Sequence, residues 1–213
     1  MSCQLREGYL YYFYLRKEAD VKKTSGQTKS RIVSAAWELF YQHGYENTTI
    51  DDITELSGTS KGSFYHYFSS KDNLLGSLSD LFDKKYEELD QSMDEQLDPI
   101  DKLLFINREL FLMIENTVSV SLLSKLFASQ LGANGERGLL NPDRTYYKLV
   151  RRLVIEGKEK GLFRDDLSVN DVTKAYALYE RAMMYDWCIS AGNYSLCQYS
   201  QKMLPLFIDG LRA

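Results

Sequence analysis

The chain has 213 residues, room for one or two domains whose core needs neither disulfides nor a structural metal. Apolar residues make up 44 % and charged residues 26 %, ordinary for a globular chain, while only 3 prolines favour long uninterrupted helices. The formal charge of −4 and pI of about 5.3 argue against blanket binding to polyanions. No stretch approaches the roughly 18–20 apolar residues of a membrane span. The aromatic run Tyr9–Leu15 is too short to span and lacks the small-residue cleavage site of a signal peptide. Cys3, Cys188 and Cys197 are widely spaced, with no Cys-x-x-Cys, and His43 and His66 are the only histidines, so no disulfide framework, metal site or cofactor is expected. A reducing cytoplasm is the expected compartment. Phosphate loops, nucleophile elbows and zinc-protease motifs are all missing, which moves an enzymatic reading to second place.

From Thr28 onward the pattern is helix after helix. Ile32, Ala36, Leu39 and Phe40 form one apolar stripe, ended by His43-Gly44. Thr48 or Thr49 caps a short helix carrying Ile50, Ile53 and Leu56. Gly58 interrupts it, and Thr59 or Ser60 caps a third helix through Phe68. Ser70 starts a fourth, with Leu74, Leu75, Leu78, Leu81 and Phe82. Asp98-Pro99 reads as a cap followed by proline at the first helical position, opening a helix to about Glu115. A shorter apolar helix follows from Ser119 to Leu131, ended by the loop Gly132–Gly135. Asn141-Pro142 repeats the cap-proline signal for a helix stopped at Gly161. Ser168-x-x-Asp171 resembles a capping box before a long helix reaching Ala191-Gly192. Ser195 begins a final helix, expected to kink or break near Pro205. The fold class is all-α, with about nine helices.

Two short helices joined by a tight turn at Gly58 fit a helix-turn-helix, whose second helix enters the major groove. Phe64 and Phe68 stand i, i+4 and are assigned to the core. At 100° per residue, Thr59, Gly62, Ser63 and His66 fall opposite Phe64, with Lys61 and Tyr65 on the flanks. That outward face is small and polar, as a groove-reading surface must be. Lys61 and Lys71 lie at two helix starts, where backbone N–H groups also attract phosphate. Gly62 is a poor helix residue by roughly 1 kcal/mol against alanine, which close approach to DNA explains better than chance.

Thr48-Thr49-Ile50-x-x-Ile53, followed by Gly58-Thr59-Ser60-Lys61-Gly62-Ser63-Phe64-Tyr65-His66-Tyr67-Phe68-x-Ser70-Lys71, resembles the DNA-binding domain of TetR-family transcriptional regulators. Phe40-x-x-His43-Gly44-Tyr45 is similar to the end of that family's first helix. The sequence departs at Thr54, where the family usually has alanine. The resemblance implies that Thr49, Tyr67 and Lys71 contact backbone phosphates of a double-stranded operator. By the same resemblance Lys61, Gly62, Ser63, Tyr65 and His66 meet bases or nearby phosphates. It also implies a homodimer, a small-molecule effector and a second, helical domain that binds the effector and dimerises.

The expected division is an N-terminal extension (1–27), a helix-turn-helix domain (28–74) and a ligand-binding and dimerisation domain (75–213). Translation from Val21 would leave Lys22-Lys23-Thr24 as a basic arm, and Lys29 can add phosphate contacts. Phe105, Arg108, Phe111, Met113, Phe127, Tyr146 and Tyr147 are candidates to line an effector pocket, with Arg108 and Arg181 able to neutralise an anion. Tyr176, Tyr179, Met183, Met184, Trp187 and Leu196 are candidates for the dimer interface, and each equally suits the chain's own core. Cys188 and Cys197 flank the turn at 192–195, where a thiol switch competes with plain burial. Charge is uneven: residues 1–71 hold 9 Lys+Arg against 8 Asp+Glu, and residues 72–213 hold 17 against 22. The expected function is a DNA-binding regulator, a repressor released from a near-palindromic operator by its effector. Control by a protein partner, and a helical enzyme or adaptor, are the rival readings.

Overall fold

The structure, a computed structural model, describes residues 25–131 and 138–213. Among them nine α-helices occur: α1 (Ser25–His43), α2 (Ile50–Ser57), α3 (Lys61–Tyr67), α4 (Ser77–Ser92), α5 (Pro99–Thr117), α6 (Val120–Leu131), α7 (Thr145–Glu159), α8 (Val169–Ile189) and α9 (Leu196–Asp209). The expected start at Val21 and the Lys22-Lys23 arm lie outside the described residues, as does Cys3. Within the described residues no single helix is long and apolar enough to cross a membrane.

The helices gather into two compact units. The first holds the described residues to Leu78 together with Asn116–Ser129, and the second holds Ser79–Glu115 and Gln130–Ala213. Assigning 116–129 to the first unit departs from the expected boundary near residue 75. Within that unit Lys125 of α6 pairs with Glu46 and lies 4.9 Å from the Tyr45 ring centre.

In the first unit, Ile32, Ala35, Ala36, Leu39 and Phe40 of α1 are buried, packed with Ile53, Phe64, Phe68, Leu74 and Leu75 in its core. Gly44 takes a φ of +80° just past α1. Ser70 opens a 3₁₀ turn, Lys71–Gly76, which runs into α4. Trp37 fastens α1 to that junction, its Nε1 donating to Ser77 Oγ at 2.8 Å.

In the second unit, Asp98 caps α5, its Oδ1 accepting from the N–H groups of Ile100 at 2.8 Å and Asp101 at 2.9 Å. Ser168 and Asp171 close a capping box at the start of α8. Two expectations need correction. Asn141-Pro142 caps no helix: Asn141 Oδ1 accepts from Asp143 N at 2.9 Å and its carbonyl from Arg144 N at 3.3 Å, a turn with proline in its second position. Helix α7 begins three residues later, where Arg144 is clamped to Asp83 of α4 by bonds of 3.0 Å from Nε and Nη2. Nor does Pro205 break α9, which runs from Leu196 to Asp209 with the proline inside. The carbonyl that Pro205 leaves without its helical donor belongs to Gln201, an exposed residue.

Candidate nucleic-acid interface

Helices α2 and α3 are short, so their ends decide their placement. Thr49 accepts from Asp52 N at 3.1 Å while Asp52 Oδ2 accepts from Thr49 N at 2.8 Å, a complete capping box. The Thr49 hydroxyl also donates to that carboxylate at 2.7 Å. These bonds hold the Asp52 carboxyl below its usual range. At the other end of α2, Gly58 adopts the left-handed φ of +60°. A Cβ there would meet Arg31 Nη2 at 2.7 Å, for Arg31 of α1 donates to the carbonyls of both Ser57 and Gly58. The turn between the two helices is therefore clamped from α1, and only glycine satisfies both demands.

Ser60 caps α3, accepting from Ser63 N at 3.0 Å. Phe64 is fully buried and Phe68 nearly so, their rings 5.7 Å apart, as the periodicity required. Lys61, Gly62, Tyr65 and His66 are exposed, and Ser63 and Tyr67 half-buried. A Cβ on Gly62 would meet nothing nearer than Ser60 Oγ at 3.7 Å, so no packing within the chain demands glycine there. Lys61 is 2.6 Å from Asp51 Oδ1, and this hydrogen bond and the opposite charge raise its pKa. His66 stands edge-on to Tyr67 at 4.8 Å.

Lys71 has a task within the fold. Its ammonium donates to the carbonyls of Tyr45 at 2.6 Å and Thr48 at 2.8 Å, and lies 4.3 Å from the Tyr45 ring centre. It thus ties down the segment between α1 and α2. Tyr45 in turn donates to Asp72, and burial, then that bond, push its phenol upward. Lys29 lies 5.9 Å from the Phe68 ring centre.

The other expected sites fare unevenly. Phe111 and Met113 are core residues, and Arg108 is exposed, with Nη2 2.7 Å from Glu109. Phe105 is half-buried under Arg108, Tyr147 accepts from Arg181 Nη1 at 2.9 Å, and Phe127 belongs to the first unit. Of the dimer candidates, Tyr176, Met184, Trp187 and Leu196 face the chain's own interior and have almost no surface for a second copy. Tyr179 and Met183 are half-buried. The outward apolar residues of α8 are instead Leu178, Ala182, Tyr185 and Ile189, at i, i+4, i+7 and i+11. Leu178 and Tyr185 are each 51 % exposed and Ile189 68 %, joined on α9 by Tyr199 and Leu206. Cys188 and Cys197 are free thiols, and burial pushes the Cys197 thiol up, away from the reactive thiolate.

Sequence reasoning missed Glu180, buried in the second unit with Tyr86, Asn107, Tyr146 and Ser200 around it. A carboxyl on the same stripe as Tyr176, Met184 and Trp187 was the available signal.

A capped helix, a glycine turn clamped from a third helix, and an exposed small-polar second helix define a helix-turn-helix DNA-binding protein. Residues 32–78 match the family of bacterial regulatory proteins of the tetR type, and residues 79–210 match the C-terminal region of YsiA-like proteins. The probable regulator ArpR of Pseudomonas putida is 31 % identical over 97 residues, 45 % of this chain and 44 % of that one. The fatty acid metabolism regulator of Bacillus subtilis is 20 % identical over 85 % of this chain and 94 % of its own. Thermus thermophilus FadR, a TetR-family repressor solved with lauroyl-CoA, superposes with a TM-score of 0.70 at 24 % identity, over 85 % of this chain and 94 % of that one. The chain belongs to the TetR family of bacterial regulatory proteins, as a DNA-binding transcriptional regulator.

Proposed function

We propose that the chain is a cytoplasmic homodimeric repressor that leaves its operator when a fatty acyl-CoA binds its second unit. The observation that carries the DNA-binding half is the outward face of α3. Gly62 lets the backbone approach the groove floor, while Ser63, Tyr65 and His66 reach base edges. Lys61 exchanges Asp51 for phosphate, and Thr49 and Tyr67 flank the DNA backbone. Lys71, with two of its three N–H groups bonded internally, acts first as a positioning residue and offers phosphate its third. Support for the effector class comes from two similar proteins, the Bacillus subtilis fatty acid metabolism regulator and the Thermus thermophilus FadR solved with lauroyl-CoA.

The dimer contact in this reading is the outward stripe of α8 and α9, centred on Leu178, Tyr185, Ile189 and Leu206. A two-fold pair would set two α3 helices about 34–36 Å apart, one turn of DNA, and so read a near-palindrome. Selection from a random DNA pool, with lauroyl-CoA added to the winning sequences, tests the whole reading. A near-palindromic winner released by lauroyl-CoA is expected. Failure to enrich any sequence at low salt would defeat the operator, and a winner indifferent to acyl-CoAs would defeat the effector class alone.

A further inference from the structure

Cations of the first unit are held by two kinds of partner. Arg31 donates to the carbonyls of Ser57 and Gly58, and Lys71 to those of Tyr45 and Thr48. Those partners are uncharged, so both side chains keep their positive field. Lys61, at the first position of α3, is instead 2.6 Å from the Asp51 carboxylate in the first turn of α2. Lys125 of α6 is paired likewise, with Glu46. Lys61 and Asp51 together carry no net charge, so the charge at the start of the reading helix is cancelled.

Stability does not explain this pairing. The two side chains are 61 % and 65 % exposed, and so exposed a pair contributes little to folding. Helix α2 does not need Asp51 as a cap, because Thr49 and Asp52 already close the capping box. An acid in the first turn suits the helix dipole, but Asp52 supplies that too. The bond that Thr54 Oγ donates goes to the Asp51 backbone carbonyl, which any residue would offer. The consequence lies in how DNA is met. Non-specific binding is sequence-independent phosphate attraction, and it gains with each free cation. There α3 has no base contacts to seat it, and a phosphate farther off than the carboxylate loses the competition for Lys61. A seated α3, brought close at Gly62, offers Lys61 a phosphate at contact distance.

We infer that Asp51 is a specificity-determining residue of the DNA interface, a positioning residue that acts through Lys61. It keeps the lysine neutralised on DNA at large and yields it to phosphate once α3 is seated on the operator. Affinity for competing sequences is thereby held down more than affinity for the operator. This rests on the DNA-reading role proposed for α3 and is independent of the effector.

Fluorescence anisotropy of the full-length protein across a salt series tests it, on the duplex enriched from a random pool and on a scrambled duplex of equal composition. Asp51→Asn keeps the shape of the side chain and removes its charge. It is expected to bind the scrambled duplex about three- to tenfold more tightly at low salt. Its slope of log affinity against log salt on that duplex should steepen by about 0.9 per protomer, one phosphate for each freed lysine. Operator affinity should change less, so the ratio of operator to scrambled affinity falls severalfold. Asp51→Glu, which restores the charge, should keep the wild-type ratio. In a Lys61→Ala background, Asp51→Asn should no longer lower the ratio. An unaltered ratio or slope in Asp51→Asn, the same loss in Asp51→Glu, or an equal fall without Lys61 each overturns the inference. A wild type that enriches no duplex overturns the DNA-reading role of α3 and this inference with it. A selective wild type with an indifferent Asp51→Asn sinks this inference alone.

Discussion

In the proposed reading, Gly62 separates stability from recognition at a single atom. An added methyl there meets only Ser60 Oγ at 3.7 Å, and alanine is the better helix former by about 1 kcal/mol. Gly62→Ala should therefore raise the melting temperature while weakening operator binding by about tenfold, the cost of one bad contact in the groove. Thermal melts and fluorescence anisotropy check both halves, and unaltered operator affinity would remove Gly62 from the reading face. Glu180 makes a different residue-scale prediction. Its carboxyl titrates higher in the folded chain than its ordinary 4.5, because burial penalises the charge. The stability it contributes is thus fully present below about 4.5 and is lost as pH rises through the folded value. Glu180→Gln keeps an acceptor for Asn107 and cannot ionise. Its melting temperature relative to wild type should rise as pH climbs from 4 toward neutrality, then level off. A constant difference across that range would show that Glu180 is not held toward its neutral form.

Among the elements, the ends of helices were the most readable features, because capping is local. Thr49, Gly58, Ser60, Asp98 and Ser168 each satisfy backbone groups within three residues of themselves or supply a left-handed turn. Asn141-Pro142 misled for the same reason: a cap with proline and a turn with proline look alike locally. What sets the start of α7 is Arg144 on Asp83, 61 residues away. The Glu180 network was hidden likewise, with partners 73 and 94 residues distant. Helix α8 is apolar on two sides, so periodicity could not say which stripe faces inward. Lys71 looks locally like a phosphate contact, while its two carbonyl partners lie 26 and 23 residues back. Lys71→Met should cost the first unit about 1–2 kcal/mol, allowing for its partial exposure, and weaken binding to every DNA sequence alike. Denaturant melts and anisotropy on several operators check this, and an unchanged midpoint would refute the positioning role. A further prediction concerns Gly157 of α7, where a Cβ would stand 2.5 Å from Phe163 Cε2. Gly157→Ala should destabilise by about 1–2 kcal/mol, overpacking exceeding the gain in helix propensity. A stabilised variant would show that Phe163 yields freely.

Over the whole molecule, the net charge of −4 conceals a division. Residues 1–71 are close to neutral and the acidity lies beyond them, so bulk attraction to DNA is weak and specific docking must supply affinity. Pairing two reading helices in one dimer is the proposed remedy. Replacing Tyr185 and Ile189 together by glutamate should yield folded monomers in sedimentation and abolish operator binding, whereas dimers that persist would place the contact elsewhere.

The outward stripe of α8 has one more consequence. If two protomers must meet through Leu178, Tyr185 and Ile189 before the operator is read, occupancy below the dimer dissociation constant follows the square of protomer concentration. Halving the number of chains then quarters the bound regulator. Small changes in synthesis or turnover would steepen or relax repression without any effector, and the abundance of the protein becomes a second input to the switch.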